Sequence, residues 1–115
     1  MALNQFSRTQ LLLGQESMDL LADATVAVFG IGGVGGYTVE ALARSGVGHF
    51  VLVDDDKVCL TNINRQIIAT RSSVGKYKVD VMKERILDIN PKAEVEVYKP
   101  VSYTHLRAHE TLMNL

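Results

Sequence analysis

Short apolar runs alternate along this chain with longer segments in which apolar residues recur at helical spacing. One run, at residues 25–30, is almost continuously apolar and rich in β-branched residues, and a second follows at residues 49–54. Residues 94–98, EVEVY, alternate between charged and apolar side chains. A continuous apolar run predicts a strand buried on both faces of a parallel sheet, as for residues 25–30, and alternation predicts a further strand. We therefore predict three β-strands, at residues 25–30, 49–54 and 94–98.

Helical patterns precede and separate these strands. Residues 5–22 predict a helix in two pieces, broken at Gly14. Its apolar face is formed by Leu11, Leu12, Leu13, Met18, Leu20 and Leu21. Residues 33–45 predict a second helix, which Gly46 closes as a C-terminal cap. The small packing residues of this helix are Val34, Thr38, Ala41 and Ala43.

A third helix is predicted at residues 74–90, where Val79, Met82, Ile86 and Ile89 recur at helical spacing and Asn90-Pro91 ends the pattern. The element order is helix, β, α, β, long loop, α, β. This alternation predicts an α/β fold with a Rossmann-like parallel sheet, right-handed crossovers and flanking helices. A doubly wound sheet normally has more strands, so the fold is predicted to be truncated after about three strands.

Composition narrows the class of protein only modestly. The 115 residues suffice for one small domain, and the net charge of -1 neither indicates nor excludes a nucleic-acid partner. The single cysteine, Cys59, excludes an internal disulfide framework and a Cys-cluster zinc site, and it follows Val58 as a predicted small buried hydrophobe. The first residues lack the pattern of a secretory signal, so we expect none, and no apolar run approaches the roughly 18 residues of a membrane span. We therefore expect a cytoplasmic protein with no membrane partner.

The first strand runs directly into a cluster of glycines, GIGGVGG. Gly30, Gly32 and Gly35 fit the G-x-G-x-x-G spacing of a nucleotide-binding βα turn, with an extra glycine at Gly33. The first glycine of such a motif makes the turn, the second lets a phosphate approach the backbone, and the third lets helix and strand pack closely. The helix N-terminus then faces the anion. Alone, this motif fits NAD, FAD or ATP.

Asp54 ends the second strand, 24 residues after Gly30. In a Rossmann-like fold an acid at that point meets the ribose hydroxyls of the nucleotide, and the alternative is a solvated or helix-capping aspartate. Strand, spacing and glycine turn agree, so we predict the ribose role for Asp54. Asp55 and Asp56 are predicted to be solvated or capping residues.

Polar residues downstream of Asp54 form a second candidate group. Asn62, Asn64, Arg65 and Gln66 follow near the predicted carboxyl edge of the sheet, where an arginine can clamp phosphate oxygens. Composition fits a phosphate site and a polar surface loop equally well. Lys78, at the predicted helix in VGKYKVD, is either part of an anion site at the helix N-terminus or an exposed lysine.

Taken together, these residues resemble the ubiquitin-activating-enzyme-like adenylating superfamily. The resemblance rests on GIGGVG, Asp54, NINRQ, VGKYK and Asn90-Pro91, in that order and at family-like spacing, and covers about residues 5–99. Within the superfamily, FSRTQLLLG, ALARSGVG, DDDKVCLTNINRQI and VMKERILDINP are most similar to the tRNA threonylcarbamoyladenosine dehydratases.

The resemblance implies an ATP site and its residues. The glycines Gly30, Gly32, Gly33 and Gly35 would hold the ATP phosphates, and Asp54 would hold the ribose. Asn62, Arg65 and Lys78 would contact phosphates, with Arg65 and Lys78 stabilising charge in the transition state. Arg8 matches a position from which some members reach into the ATP site of the partner subunit. The family's Mg²⁺-handling aspartate would lie beyond residue 100.

The reaction implied is ATP-dependent adenylation of a carboxylate. The substrate would be the threonylcarbamoyl group of tRNA adenosine-37, activated with release of pyrophosphate and then cyclised with release of AMP. The resemblance also implies a homodimer in the full-length protein. Residues 1–100 would be the N-terminal half of the adenylating domain, so we expect this piece by itself to be inactive or nearly so.

The last residues do not continue the βαβ pattern. Residues 101–115 read VSYTHLRAHETLMNL, and SYTHLRAHET resembles the translation of a sequencing-library adapter, so we predict a non-native tail. His105 and His109 are spaced like a helical metal pair, but no third ligand accompanies them, and we predict no metal site there.

Three other functions remain open from the residues. One is a sulfur-carrier-protein adenylyltransferase of the same superfamily, with a protein C-terminus as substrate. Another is an NAD-binding oxidoreductase domain, which has no need of the NINRQ and VGKYK segments. The last is a non-catalytic, dimer-forming remnant.

Overall fold

The computed structural model describes residues 3–100. Its helices are α1 (Ser7–Leu13), α2 (Gln15–Asp23), α3 (Val34–Ser45) and α4 (Lys78–Ile89), with a short 3-10 helix at Leu60–Asn62. Its strands are β1 (Thr25–Phe29), β2 (His49–Val53) and β3 (Glu94–Tyr98). The predicted elements and their order are confirmed, and each predicted strand end lies within one residue of the observed one.

The three strands form one parallel sheet in the order β1-β2-β3. Val26, Phe50 and Val95 share one row across the sheet, and Val28, Leu52 and Val97 share the row two residues further along. Since side chains alternate between faces, these rows lie on one face. α3 and α4 pack against each other, with α3 against β1 and α4 against β3, which encloses the core on that face.

The opposite face of the sheet is open. The side chains of Thr25, Ala27 and Phe29 are exposed, so the prediction that the first strand is buried on both faces is wrong for the described residues. Right-handed crossovers that step in one direction place successive helices on one face of a sheet. β1 to β2 and β2 to β3 both step that way, which accounts for the one-sided cover.

α3 presents a different face to the core from the predicted one. Gly36, Val39 and Ala43 are buried. Of the four predicted packing residues, Ala43 is therefore confirmed, whereas Val34, Thr38 and Ala41 are exposed. The reason lies at the start of the helix: Gly36 approaches the carbonyl oxygen of Ile31 closely, which fixes the helix rotation and brings the residues at +3 and +7 inward.

The amino-terminal helices break at Gly14 as predicted, but their apolar face is only partly buried. Met18 is buried, while Leu11 and Leu12 are 86% and 87% exposed, and Leu13 and Leu20 are also exposed. α1 packs on α2, and Gln5 Nε2 donates to the carbonyl of Ile89 at 3.1 Å. The leucines therefore lie away from the sheet core.

α4 begins at Lys78, four residues later than predicted. The residues just before the helix instead pair with the backbone of Val58. Val58 N–H donates to Lys76 O at 2.8 Å, and Gly75 N–H donates to Val58 O at 2.9 Å. Tyr77 is extended, and Asn90 caps the far end of the helix as predicted. Pairing with the loop after β2 thus replaces the first predicted helical turn.

Two further predictions concern membrane-spanning segments and the C-terminal tail. Among residues 3–100, none of the helices is long and apolar enough to cross a membrane. The predicted non-native tail, with His105 and His109, lies outside the described residues.

Candidate functional site

The carboxyl edge of the sheet gathers most of the predicted site residues. β1 leads into the glycine turn before α3, β2 leads into Asp54, and the loop after β2 returns to the N-terminus of α4. In open α/β sheets this edge is where ligands bind. The parallel register, in which Phe29 pairs with Val53 and Val53 with Tyr98, brings the three strand ends side by side.

The glycine turn has the geometry that its spacing predicts. Gly30 has a φ of 91°, which favours glycine, and its N–H donates to Val53 O at 2.8 Å. A Cβ atom at Gly35 would lie 1.9 Å from the carbonyl oxygen of Gly30, so only glycine allows α3 to start this close to β1. The conformational roles of the first and third glycines are thereby confirmed. Phosphate binding by Gly30, Gly32, Gly33 and Gly35 stays a prediction.

Asp54 ties the glycine turn to β2. Its Oδ2 accepts a hydrogen bond from Ile31 N–H at 2.7 Å, and its Oδ1 accepts one from Asp56 N–H at 2.8 Å. Each carboxylate oxygen can accept more than one hydrogen bond, so these contacts leave acceptor capacity for hydroxyl donors. The structure thus places the predicted ribose acid at the turn, partly buried, with a structural role that sequence reasoning did not assign.

Asn62 is buried in the loop after β2 and shapes the 3-10 helix. Its Oδ1 accepts from Cys59 N–H at 2.9 Å, and its own N–H donates to Cys59 O at 2.9 Å. Cys59 itself is exposed, so the prediction of a buried cysteine is wrong. Val58 takes the inward position and is 2% exposed, and the chain turns outward at the start of the 3-10 helix.

The guanidinium of Arg65 lies on its own turn. Its Nη1 donates to Thr61 O at 2.8 Å and to Asn64 Oδ1 at 2.9 Å, and the side chain is exposed. No hydrogen bond among the described residues joins it to Asp54, Asn62 or Lys78. Gln66, the next residue and a member of the predicted polar group, does reach the glycine turn, although no specific role was predicted for it. Its position directly after Arg65 in NINRQ was the available signal.

Lys78 is the first residue of α4 and is almost fully buried. Its N–H donates to Asp56 O at 3.0 Å, and its Nζ lies 3.8 Å from Asp56 Oδ2. The Lys78 side chain is 9% exposed, whereas that of Asp56 is 69% exposed. The exposed-lysine alternative is therefore wrong. A buried cation beside the positive end of a helix, with one mostly solvated acid near it, favours an anion.

Arg8 is not brought to this edge. It is exposed on α1, whose neighbourhood includes the C-terminal end of α4, where Gln5 bonds Ile89. α4 runs from the carboxyl edge at Lys78 to the amino edge at Asn90, so Arg8 lies near the amino edge. Within one copy of the chain, Arg8 thus lies on the opposite edge of the sheet from the other predicted residues. A role in the partner's site stays a prediction.

An ion-pair network fixes α3 against α4. Arg85 Nε donates to Glu40 Oε1, and Arg85 Nη2 donates to Glu40 Oε2 at 3.3 Å, while Arg44 Nε lies 3.6 Å from Glu40 Oε2. The hydrogen bond from Arg85, with added Coulombic attraction from Arg85 and Arg44, lowers the pKa of Glu40 below its ordinary value against the opposing effect of burial. The two helices whose N-termini frame the site are therefore held in one orientation.

The acidic triplet Asp54, Asp55 and Asp56 places carboxylate oxygens within 4.8 Å of one another. Hard cations take such ligands. However, the ammonium of Lys78 lies 3.8 Å from Asp56 Oδ2 and would repel a cation bound by the triplet. This donor set is a poor fit to a dedicated cation cage.

Comparison with known proteins places this geometry in a family. The model of the ThiF family matches residues 6–110. The chain is 57% identical over 97 residues to a tRNA threonylcarbamoyladenosine dehydratase of Bacillus subtilis, covering 84% of this chain and 38% of that protein. It is 52% identical over 93 residues to the Escherichia coli protein of that name, covering 81% of this chain and 35% of that protein.

A solved structure agrees with the sequence matches. The crystal structure of the E. coli tRNA N6-threonylcarbamoyladenosine dehydratase, TcdA, in complex with ATP superposes with a TM-score of 0.82 at 45% identity, covering 94% of this chain and 45% of that one. The chain thus spans less than half the length of the relatives it matches. The matched family model, the glycine turn with its acid, and the fold agree, and the chain belongs to the ThiF family.

Proposed function

We propose that this chain supplies the nucleotide-binding part of an ATP-dependent tRNA threonylcarbamoyladenosine dehydratase. The observation that carries the proposal is the convergence of the glycine turn, Asp54 and buried Lys78 at one sheet edge. Support comes from relatives of that name at 52–57% identity and from the ATP complex of one of them.

In the proposed complex, ATP lies along the carboxyl edge. Its phosphates face the glycine turn and the N-terminus of α3, where backbone N–H groups and the helix dipole favour an anion. Its ribose hydroxyls donate to the carboxylate of Asp54. The amide nitrogen of Asn62, the guanidinium of Arg65 and the ammonium of Lys78 contact phosphate oxygens, which requires Arg65 to leave Thr61 and Asn64.

The proposed chemistry needs positioning and positive charge. A carboxylate oxygen of the threonylcarbamoyl group attacks the α-phosphorus, the bond to the bridging oxygen breaks, and pyrophosphate leaves. Lys78 and Arg65 stabilise the charge that develops on the phosphate oxygens. Intramolecular attack on the activated carbonyl then closes the ring and releases AMP, for a net loss of water.

Mg²⁺ is proposed to accompany the ATP phosphates and to neutralise their charge. The described residues form no dedicated cage for it, since the ammonium of Lys78 lies beside Asp56 in the acidic triplet. The resemblance assigns the metal to an aspartate beyond residue 100, outside the described residues.

The remaining parts of the proposal concern the whole protein. We propose that residues 1–100 are the N-terminal half of the adenylating domain, that tRNA is the substrate, and that the complete protein acts in the cytoplasm as a homodimer. The exposed position of Arg8, away from its own site, suits a contact with the partner's nucleotide.

Nucleotide binding by the full chain tests the proposal. Titration calorimetry should detect ATP binding that excess NAD does not displace, whereas binding of NAD and not ATP would support the oxidoreductase alternative and overturn ours. For the substrate, a longer protein that contains this chain should release pyrophosphate with threonylcarbamoylated tRNA. Pyrophosphate release with a sulfur-carrier protein instead would favour the sulfur-carrier alternative.

A further inference from the structure

The middle of the glycine turn lies against a side chain from the loop after β2. A Cβ atom at Gly32 would lie 2.9 Å from Nε2, 3.0 Å from Cδ and 3.0 Å from Oε1 of Gln66. Because these three distances are nearly equal, the flat face of the carboxamide lies against the Cα of Gly32. The φ of Gly32 is not positive, so its backbone conformation does not demand glycine. A Cβ at this position would instead displace the end of the Gln66 side chain.

The backbone of Gln66 is fixed on both sides. Its N–H donates to Asn62 O at 2.9 Å, and its carbonyl accepts from Ala69 N–H at 3.0 Å. Asn62, Ile68 and Ala69 are buried, which anchors this segment to the core. The carboxamide therefore rests on Gly32 from a rigid support.

One end of this carboxamide has no partner. Among residues 3–100, Gln66 Oε1 is the buried side-chain N or O atom that lacks a hydrogen bond. A buried polar atom without a partner destabilises the folded state. Rotation of the amide by 180° exchanges its oxygen and its NH₂ group, so the buried position can accept a hydrogen bond or donate one.

We propose that Gln66 is a positioning residue of the glycine turn. Its carboxamide fixes Gly32, and its buried end donates an N–H to a phosphate oxygen when a nucleotide occupies the glycine turn. The second half of this statement rests on the proposed function. The ligand-free state carries an unpaired polar atom, and binding supplies the partner.

Replacing Gln66 by methionine tests the unpaired end. Gln66→Met keeps the length of the side chain and removes both polar atoms. We expect the urea midpoint of the ligand-free chain to rise, and the Kd for ATP to rise about tenfold, as for loss of one hydrogen bond to a charged group. A purely structural glutamine would shift the midpoint down and leave the Kd within twofold, and that result would overturn the proposal.

A double-mutant cycle tests the contact with Gly32 separately. Gly32→Ala should lower the urea midpoint, and Gln66→Ala should restore most of that loss, because the three atoms nearest to the added Cβ all belong to this side chain. Gly35→Ala is the matched control: its Cβ would lie 1.9 Å from Gly30 O, and Gln66→Ala cannot relieve a backbone clash. An equal loss from Gly32→Ala in both backgrounds would overturn the positioning role.

The two readouts also separate this inference from the proposed function. If the wild-type chain binds no ATP, the proposed function and the phosphate contact both fail. The cycle of midpoints still decides whether Gln66 fixes Gly32, since it uses no ligand. If ATP binds but Gln66→Met binds it equally well, the phosphate contact alone fails.

Discussion

α4 holds positive charge in opposite ways at its first residue and two turns further along. At its N-terminus, Lys78 is 9% exposed and its nearest acid, Asp56, is 3.8 Å away and largely solvated. Seven residues later, Arg85 is 37% exposed and forms two hydrogen bonds with Glu40, whose side chain is 12% exposed. The more buried cation therefore has the weaker partner. A charged side chain that is paired within the fold indicates a structural role. A buried charged side chain without a close partner in the fold indicates a binding site for a ligand of opposite charge.

The strongest test of this contrast is to remove the charge of Lys78. Lys78→Met should raise the Kd for ATP by about 10- to 100-fold, because hydrogen bonds to charged groups contribute roughly 1.5–3 kcal/mol. The free energy of unfolding should stay the same or rise, since a buried ammonium is replaced by an apolar side chain. Calorimetric titration and urea unfolding measure the two effects.

The neighbouring Lys76 provides the control. It is exposed, and Lys76→Met should leave both the Kd and the urea midpoint almost unchanged. Equal effects at the two lysines would mean that general charge, not the buried site, attracts ATP.

A second test concerns Asp54, which has both a structural and a proposed ligand role. Asp54→Asn retains one oxygen as an acceptor for Ile31 N–H but loses the acceptor for Asp56 N–H, so stability should fall by about 1–2 kcal/mol. The Kd for ATP should rise about tenfold through loss of the charged ribose acceptor. Asp55→Asn, which leaves both backbone contacts intact, is the control. Lower stability with unchanged ATP affinity would make Asp54 structural only.

In the ion pair between α3 and α4, Glu40→Gln should have the reverse signature. Loss of the charged pair with Arg85 should lower the free energy of unfolding by about 1–3 kcal/mol. ATP affinity should change less than threefold, a limit set by about 0.6 kcal/mol of coupling between separated sites. The exposed Glu84→Gln serves for comparison. A large loss of ATP affinity in Glu40→Gln would show that the contact between α3 and α4 and the proposed ATP site are coupled.

The smallest expected effect is the pH dependence of the same pair. The hydrogen bond from Arg85 lowers the pKa of Glu40, so its contribution to stability is present above the ordinary glutamate pKa and is lost as pH falls through the lowered value. Urea unfolding from pH 7 to pH 3 should therefore show a stability difference between wild type and Glu40→Gln that shrinks toward the acid end. A difference that stays constant with pH would contradict this assignment.

Local sequence patterns were sufficient to predict the helices and strands, but not the tertiary contacts and burial of individual residues. Glycines, Asn90-Pro91 and helical spacing located the helices within a few residues, because caps and periodicity act over one or two turns. The start of α4 was predicted too early because Gly75 and Lys76 pair with Val58, a contact from outside the local segment. Cys59 was predicted to be buried for the same reason: burial beside Val58 depends on where the loop turns.

The glycine cluster, the acid after β2 and the polar loop were therefore determined by the sequence: their types, order and spacing indicated a nucleotide-phosphate edge in a parallel α/β fold. Only the tertiary structure decided that Lys78 is buried, that Asp54 bonds the turn, that Gln66 lies on Gly32 and that Arg8 lies at the far edge. The physical reason is distance along the chain. Spacing within ten residues fixes local conformation, whereas charge burial and side-chain contact arise when distant segments, such as those of Ile31 and Asp54, which are 23 residues apart, meet across the sheet edge.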